Sequence, residues 1–124
     1  MAYSETIKLV TGDTEPLLTI TLKDANTAAT GQTLDENDST TWAAIDLTGA
    51  TVRMRMRAIG STTVKALLTM AISDPTSGTV TTNFPTGTLD TAGTFEGEIE
   101  ITYPTGGIQT LQDLIKFKIR KDFD

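Results

Sequence analysis

Hydrophobic and polar residues alternate strictly in the stretch 51–58, which directly follows a glycine-containing turn at Gly49. A period of two is typical of a β-strand that buries one face and exposes the other. At helical spacing the polar residues would spread around the axis, so this pattern favours a strand. The hydrophobic side consists of Val52, Met54, Met56 and Ala58, and the polar side consists of Arg53, Arg55 and Arg57.

Two later stretches, 94–103 and 114–121, alternate in the same way but carry different charges on their polar sides. Opposite charges that face each other on neighbouring strands are favourable, and like charges are not. We therefore expect the acidic strand to lie between the two basic strands in one sheet, as a charge ladder. Its acidic members are Glu96, Glu98 and Glu100, which would face Arg53, Arg55 and Arg57 on one flank and Lys116, Lys118 and Arg120 on the other.

Shorter segments with strand character occur at 6–10, 17–23, 64–73, 79–84 and 108–110. Turn-forming sequences separate them, such as the Pro75 to Gly78 segment and the Pro104 to Gly107 segment. The segment 64–73 is ambiguous, because its apolar content would also suit a short helix. About seven short strands between regular turns predict an all-β protein, an immunoglobulin-like antiparallel β-sandwich.

The stretch 25–44 has neither a helical nor a strand period, and it is small, polar and acidic. We interpret it as a long surface loop, a kind of segment that is uncommon in compact domains and tends to be functional or mobile. Trp42, the only tryptophan, lies near its end. The side chain either caps its own sandwich or anchors a contact with another subunit, in which case Trp42, Leu34 and Asp35 would form an interface.

Composition narrows the possible functions. A chain of 124 residues suits a single domain, 1–124, and its net charge of −6 argues against a nucleic-acid partner. The absence of His and Cys removes the usual general base and the thiol chemistry that many enzymes use. No signal peptide and no apolar run of membrane-spanning length are present, so we expect synthesis in the cytoplasm and no membrane partner.

Candidate catalytic and metal-binding groups are weak. The acidic run from Asp35 to Asp38 offers oxygen ligands of the kind that Ca²⁺ prefers, but it lacks the spacing of a known calcium loop. The glutamates of the ladder alternate along a strand, so a solvated face explains them better than a catalytic pair in a cleft. We expect no metal, no cofactor and no catalysis.

Several motifs together resemble those of a known family. They are the Gly12-Asp13-Thr14 turn, the run IDLTGATVRMRMR at 45–57, Ser73-Asp74-Pro75 with Gly78, the run AGTFEGEI at 92–99, and the Thr105-Gly106-Gly107 turn. In this arrangement the chain resembles the N-terminal domain of the phage baseplate upper protein, an immunoglobulin-like module. The run at 45–57 is the most specific of these motifs, because many sandwiches share the turns. The stretch 25–44 is longer than the connection expected in that family.

The resemblance implies a non-enzymatic structural protein of the virion, with other virion proteins as partners and a homo-oligomer or ring in the particle. The chain ends at Asp124 without a fibre or host-binding domain, so we expect an adaptor or assembly module of the tail, baseplate or neck. Two alternatives remain open. One is a capsid decoration protein, and the other is a module that binds carbohydrate or a cell surface.

Overall fold

The computed structural model describes residues 6–111 and 114–123. Within these residues the chain forms ten strands and one 3₁₀ helix, and the strand interpretation of the ambiguous segment 64–73 is confirmed. The strands are β1 (Thr6–Val10), β2 (Leu18–Thr21), β3 (Lys23–Ala28), β4 (Trp42–Ala44), β5 (Thr51–Ala58), β6 (Ala66–Asp74), β7 (Thr79–Thr82), β8 (Gly93–Thr102), β9 (Ile108–Thr110) and β10 (Ile115–Arg120), and the 3₁₀ helix is Ser39–Thr41.

The main sheet runs in the order β1-β10-β8-β5-β6-β7-β2, and β9 pairs with the second half of β8. Strand β6 curls this sheet into two layers, because its first half pairs with β5 and its second half pairs with β7. The register shifts between Ile72 and Asp74, close to the end of β6. The all-β, sandwich-like fold that the sequence predicts is therefore confirmed, with more strands than the seven expected.

One pairing departs from the predicted antiparallel arrangement. Strand β1 lies parallel to β10, with Thr6 beside Lys116 and Val10 beside Arg120, whereas the other strand pairs in the described residues are antiparallel. Alternation specifies which face of a strand is buried, and it carries no information about the direction of the neighbouring strand. The sequence pattern could not reveal this pairing.

The core lies between the two layers and is built from the apolar sides of the alternating strands. On β5, Val52, Met54 and Met56 are fully buried, as the period of two predicts. Phe84, which follows β7, and Phe117 on β10 meet edge to face, with ring centroids 6.3 Å apart and planes at 87°. This contact joins the two layers, and edge-to-face pairs stabilise a core beyond their buried area.

The two ends of the stretch 25–44 are more regular than the long loop that the sequence predicts, whereas residues 29–38 between them form a loop. Strands β3 and β4 pair as a separate two-stranded sheet, and Lys23 lies opposite Ala44 at its base. The ladder is irregular, since the register shifts between Asp24 and Ala28. The hydrophobic pattern does not predict this hairpin, because its residues are small and polar and form no repeating apolar face.

Candidate functional site: a charged sheet face and an acidic hairpin

The outer face of the main sheet carries most of the predicted charge ladder. Strand β8, which bears the glutamates, lies between β5, which bears the arginines, and β10. Across the β5–β8 ladder the directly opposite pairs are Arg53 with Glu100, Arg55 with Glu98, and Arg57 with Glu96.

The ion pair that forms on this face is diagonal. Arg55 donates from Nη1 to Oε2 of Glu100 at 2.9 Å, although its directly opposite neighbour is Glu98. The hydrogen bond and charge of Glu100 raise the pKa of Arg55 above its ordinary value. Diagonal neighbours on a sheet lie within reach of long side chains, so this geometry is common.

The other flank of β8 differs from the predicted ladder. Lys116 lies opposite Glu96, but Lys118 lies opposite Thr94, and the paired segment ends at Ile119 beside Gly93. The reason is that β8 divides this flank between two partners. Its second half pairs with β9, where Thr110 lies opposite Glu100, so β10 meets only its first half.

The parallel strand β1 adds a further cation that the sequence argument did not place there. Lys8 lies beside Lys118, and both side chains are exposed. Within residues 6–111 and 114–123, neither lysine forms an ion pair. Arg120, the next outward residue of β10, stacks over the ring of Phe123 with its guanidinium carbon 4.9 Å from the ring centre.

The β3–β4 hairpin places its tryptophan inside its own domain. Trp42 is only 4% exposed, and its Nε1 donates to the carbonyl oxygen of Asp35 at 2.9 Å. The ring is therefore buried against its own chain, but Trp42 is not part of the core cluster between the two layers, so it is buried within the hairpin and does not cap the sandwich as one alternative expected. The interface role of Trp42, Leu34 and Asp35 stays a prediction. Leu34 remains 39% exposed and Asp35 is also exposed, so these two lie at the surface next to the buried Trp42.

Local hydrogen bonds hold the acidic run of the hairpin in place. The Asp35 carboxylate accepts from the amide of Asn37 at 3.0 Å, and Asp38 accepts from both the amide and the hydroxyl of Thr40. The bonds from Thr40 lower the pKa of Asp38 below its ordinary value. The carboxylates therefore stabilise local turns by accepting hydrogen bonds from nearby amides. Within the described residues, no group of three or more acidic side chains is arranged to hold a metal ion.

A shallow hollow lies on the charged face, beside the arginine and glutamate strands. Its volume is about 60 Å³, and its lining includes Arg55, Glu98 and the apolar side chains of Val64 and Leu114. Ligand pockets for small molecules are usually several hundred Å³ in volume. The charged face is thus better suited to contact another surface than to enclose a substrate. Among the described residues, no helix is both long and apolar enough to cross a membrane.

Comparison with protein families identifies the family of this chain. Residues 4–123 match the sequence model of the BppU N-terminal domain family, where BppU is the phage baseplate upper protein. No curated protein matches the chain. Among solved structures, CopC from Methylosinus trichosporium OB3b aligns over 96% of this chain and 89% of its own, with 7% sequence identity and a TM-score of 0.48.

Proposed function

Because this chain belongs to the BppU N-terminal domain family, the family of a phage baseplate structural module, we propose that it is a non-enzymatic adaptor of the virion. It joins other virion proteins in the tail, baseplate or neck, and it is present there in more than one copy. Its partners are proteins, and it binds neither nucleic acid nor a membrane.

The observation that carries this proposal is the family match, which extends over residues 4–123 and so includes nearly the whole chain. Two features of the chain support it. The sequence contains no His and no Cys, which are the side chains that most often act as general base or nucleophile. The outer sheet face is rich in charged side chains, and exposed charges on a rigid sheet can fix the register of a neighbouring subunit.

The test is to follow the protein into phage particles. A tagged copy should sediment with tails or complete particles, and labelling by electron microscopy should locate it at the baseplate or neck. Particles made without it should lack an assembled baseplate or neck, or fail to adsorb. A label spread over the capsid surface would point to decoration instead, and normal particles together with substrate turnover by the isolated protein would contradict the structural role.

A further inference from the structure

Two clusters of opposite charge lie on different sheets, one on the main sheet and the other on the separate β3–β4 hairpin. The basic corner consists of three exposed cations on the outer face of β1 and of β10 beyond Lys116, namely Lys8, Lys118 and Arg120; Lys116 is left out because it lies opposite Glu96. The acidic tip is the set of exposed carboxylates at the turn of the β3–β4 hairpin, namely Asp35, Glu36 and Asp38.

Within residues 6–111 and 114–123, the basic corner carries positive charge with no carboxylate directly opposite it on the neighbouring strands. Lys8 and Lys118 are direct neighbours across the parallel ladder, and like charges in that position are unfavourable. On its other side Lys118 meets Thr94, so the glutamates of β8 stop one position short of it. An anionic surface placed over the corner would relieve the repulsion between the two lysines.

The acidic tip of the same molecule cannot reach its basic corner. Lys118 lies opposite Thr94 near the beginning of β8. The hairpin base lies near the other end of β8, because Ala44 at the base is followed by Thr51, which lies opposite Thr102. The tip folds back toward that base, since Lys23 donates to the carbonyl oxygen of Ser39. Strand β8 is ten residues long, or about 30 Å, several times the distance over which salt screens charges in solution.

The tip is also ordered before any contact forms. Its turn is fixed by the hydrogen bonds of the Asp35 and Asp38 carboxylates and by the bond from buried Trp42 to the Asp35 carbonyl oxygen. A surface that is already ordered loses little conformational entropy on binding. Apolar side chains accompany both clusters, because Leu34 precedes the tip and Phe123, at 95% exposure, stacks on Arg120 of the corner.

From these observations we infer that the basic corner of one copy binds the acidic tip of a second copy. The contact uses two different surfaces, so it is head-to-tail, and repetition yields a ring if the rotation closes or an open chain if it does not. The inference rests on the proposed function only in that several copies stand together in the particle. A second copy is favoured as the occupant because the chain itself supplies the complementary charge.

Sedimentation velocity of the purified chain tests this directly. We expect association that grows with protein concentration at low salt and weakens at about 0.5 M salt, where the screening length falls to a few Å. Lys118→Glu and Glu36→Lys should each reduce the association constant about tenfold or more, because each places like charges in the contact. An equimolar mixture of the two variants should recover association, since each reversed surface then meets a reversed partner.

Controls separate association from folding and from net charge. Lys118→Glu places an acid beside Lys8, so its melting temperature should not fall below that of the wild type. The double variant Thr19→Glu with Thr69→Glu is the net-charge control for Lys118→Glu, because it makes the chain equally more negative at exposed positions outside both clusters. It should associate like the wild type.

Three results would overturn the inference: a wild type that stays monomeric at low salt, association that is unaffected by either charge reversal, or no recovery in the mixture. The first is also the result expected if the lysines only protect the β1 edge from unwanted pairing. A monomeric chain that still enters phage particles would reject this contact and leave the proposed adaptor function intact.

Discussion

Gly97 is the position where one added methyl group should disturb the core most informatively. It lies on the buried side of β8, opposite Met56 on one flank and Ile115 on the other. A Cβ at this position would stand 2.8 Å from the sulfur of Met54 and 3.0 Å from a ring carbon of Phe117. Both contacts are too short, so Gly97→Ala requires the core to move.

The structure sets the size of the effect. The Met54 side chain is flexible but fully buried, and Phe117 is 1% exposed, so both are enclosed by other residues of the core. Overpacking of this kind costs about 1–3 kcal/mol. Alanine recovers about 0.4–1 kcal/mol by restricting the unfolded chain. We therefore expect a net loss of about 1–2 kcal/mol, or a melting temperature lower by about 4–8 °C for a domain of this size.

Thermal and urea denaturation followed by circular dichroism measure this loss. Gly107→Ala is the matched control, because its backbone is not left-handed and its Cβ would meet only the Thr105 hydroxyl at an ordinary 3.5 Å. That variant should unfold within about 0.5 kcal/mol of the wild type. Met54→Val should make room beside Gly97, so the double variant with Gly97→Ala should be more stable than the two single losses predict.

The explanation by overpacking would be refuted if Gly97→Ala were as stable as the wild type. It would also fail if Met54→Val gave no coupling with it. Either result would mean that this part of the core relaxes around the added methyl group.

Three further predictions concern the hairpin, its junction with the sheet and the end of β8. Trp42→Ala should destabilise the isolated chain by about 3–5 kcal/mol, because a buried ring is lost, and a normal melting temperature would contradict the burial. Gly78→Ala should lower the free energy of unfolding, measured by urea denaturation, more than Gly97→Ala does. The φ of Gly78 is +69°, and the new Cβ would lie 2.6 Å from the carbonyl oxygen of Leu22, a backbone atom that cannot move aside as a side chain can. An equal or smaller loss of stability would contradict this reasoning. Burial, and then the charge of Asp24, raise the pKa of Tyr103 above its ordinary 10.0. The stability that this group contributes should therefore be lost as the pH rises above 10. In denaturation experiments at a series of pH values, Tyr103→Phe should lose less stability above pH 10 than the wild type does. An identical alkaline loss in both proteins would exclude Tyr103 as the cause.

The sequence alone determined which residues face the core. On β5, β8 and β10 a period of two distinguishes the buried side from the charged side, and the turns between strands show where each one ends. These features depend on neighbouring residues in the chain, so a local pattern is sufficient to reveal them.

Partner and register were decided by the tertiary structure. The pairing of Lys8 with Lys118 brings together residues far apart in sequence, and the division of one flank of β8 between β9 and β10 leaves Lys118 opposite Thr94. The β3–β4 hairpin has no apolar repeat that would reveal it in the sequence. The burial of Trp42 depends on the folded hairpin, in which its Nε1 donates to the carbonyl oxygen of Asp35. Alternation specifies the face of a strand, whereas its neighbours, its direction and its offset depend on how the whole core packs, because many pairings bury the same apolar faces.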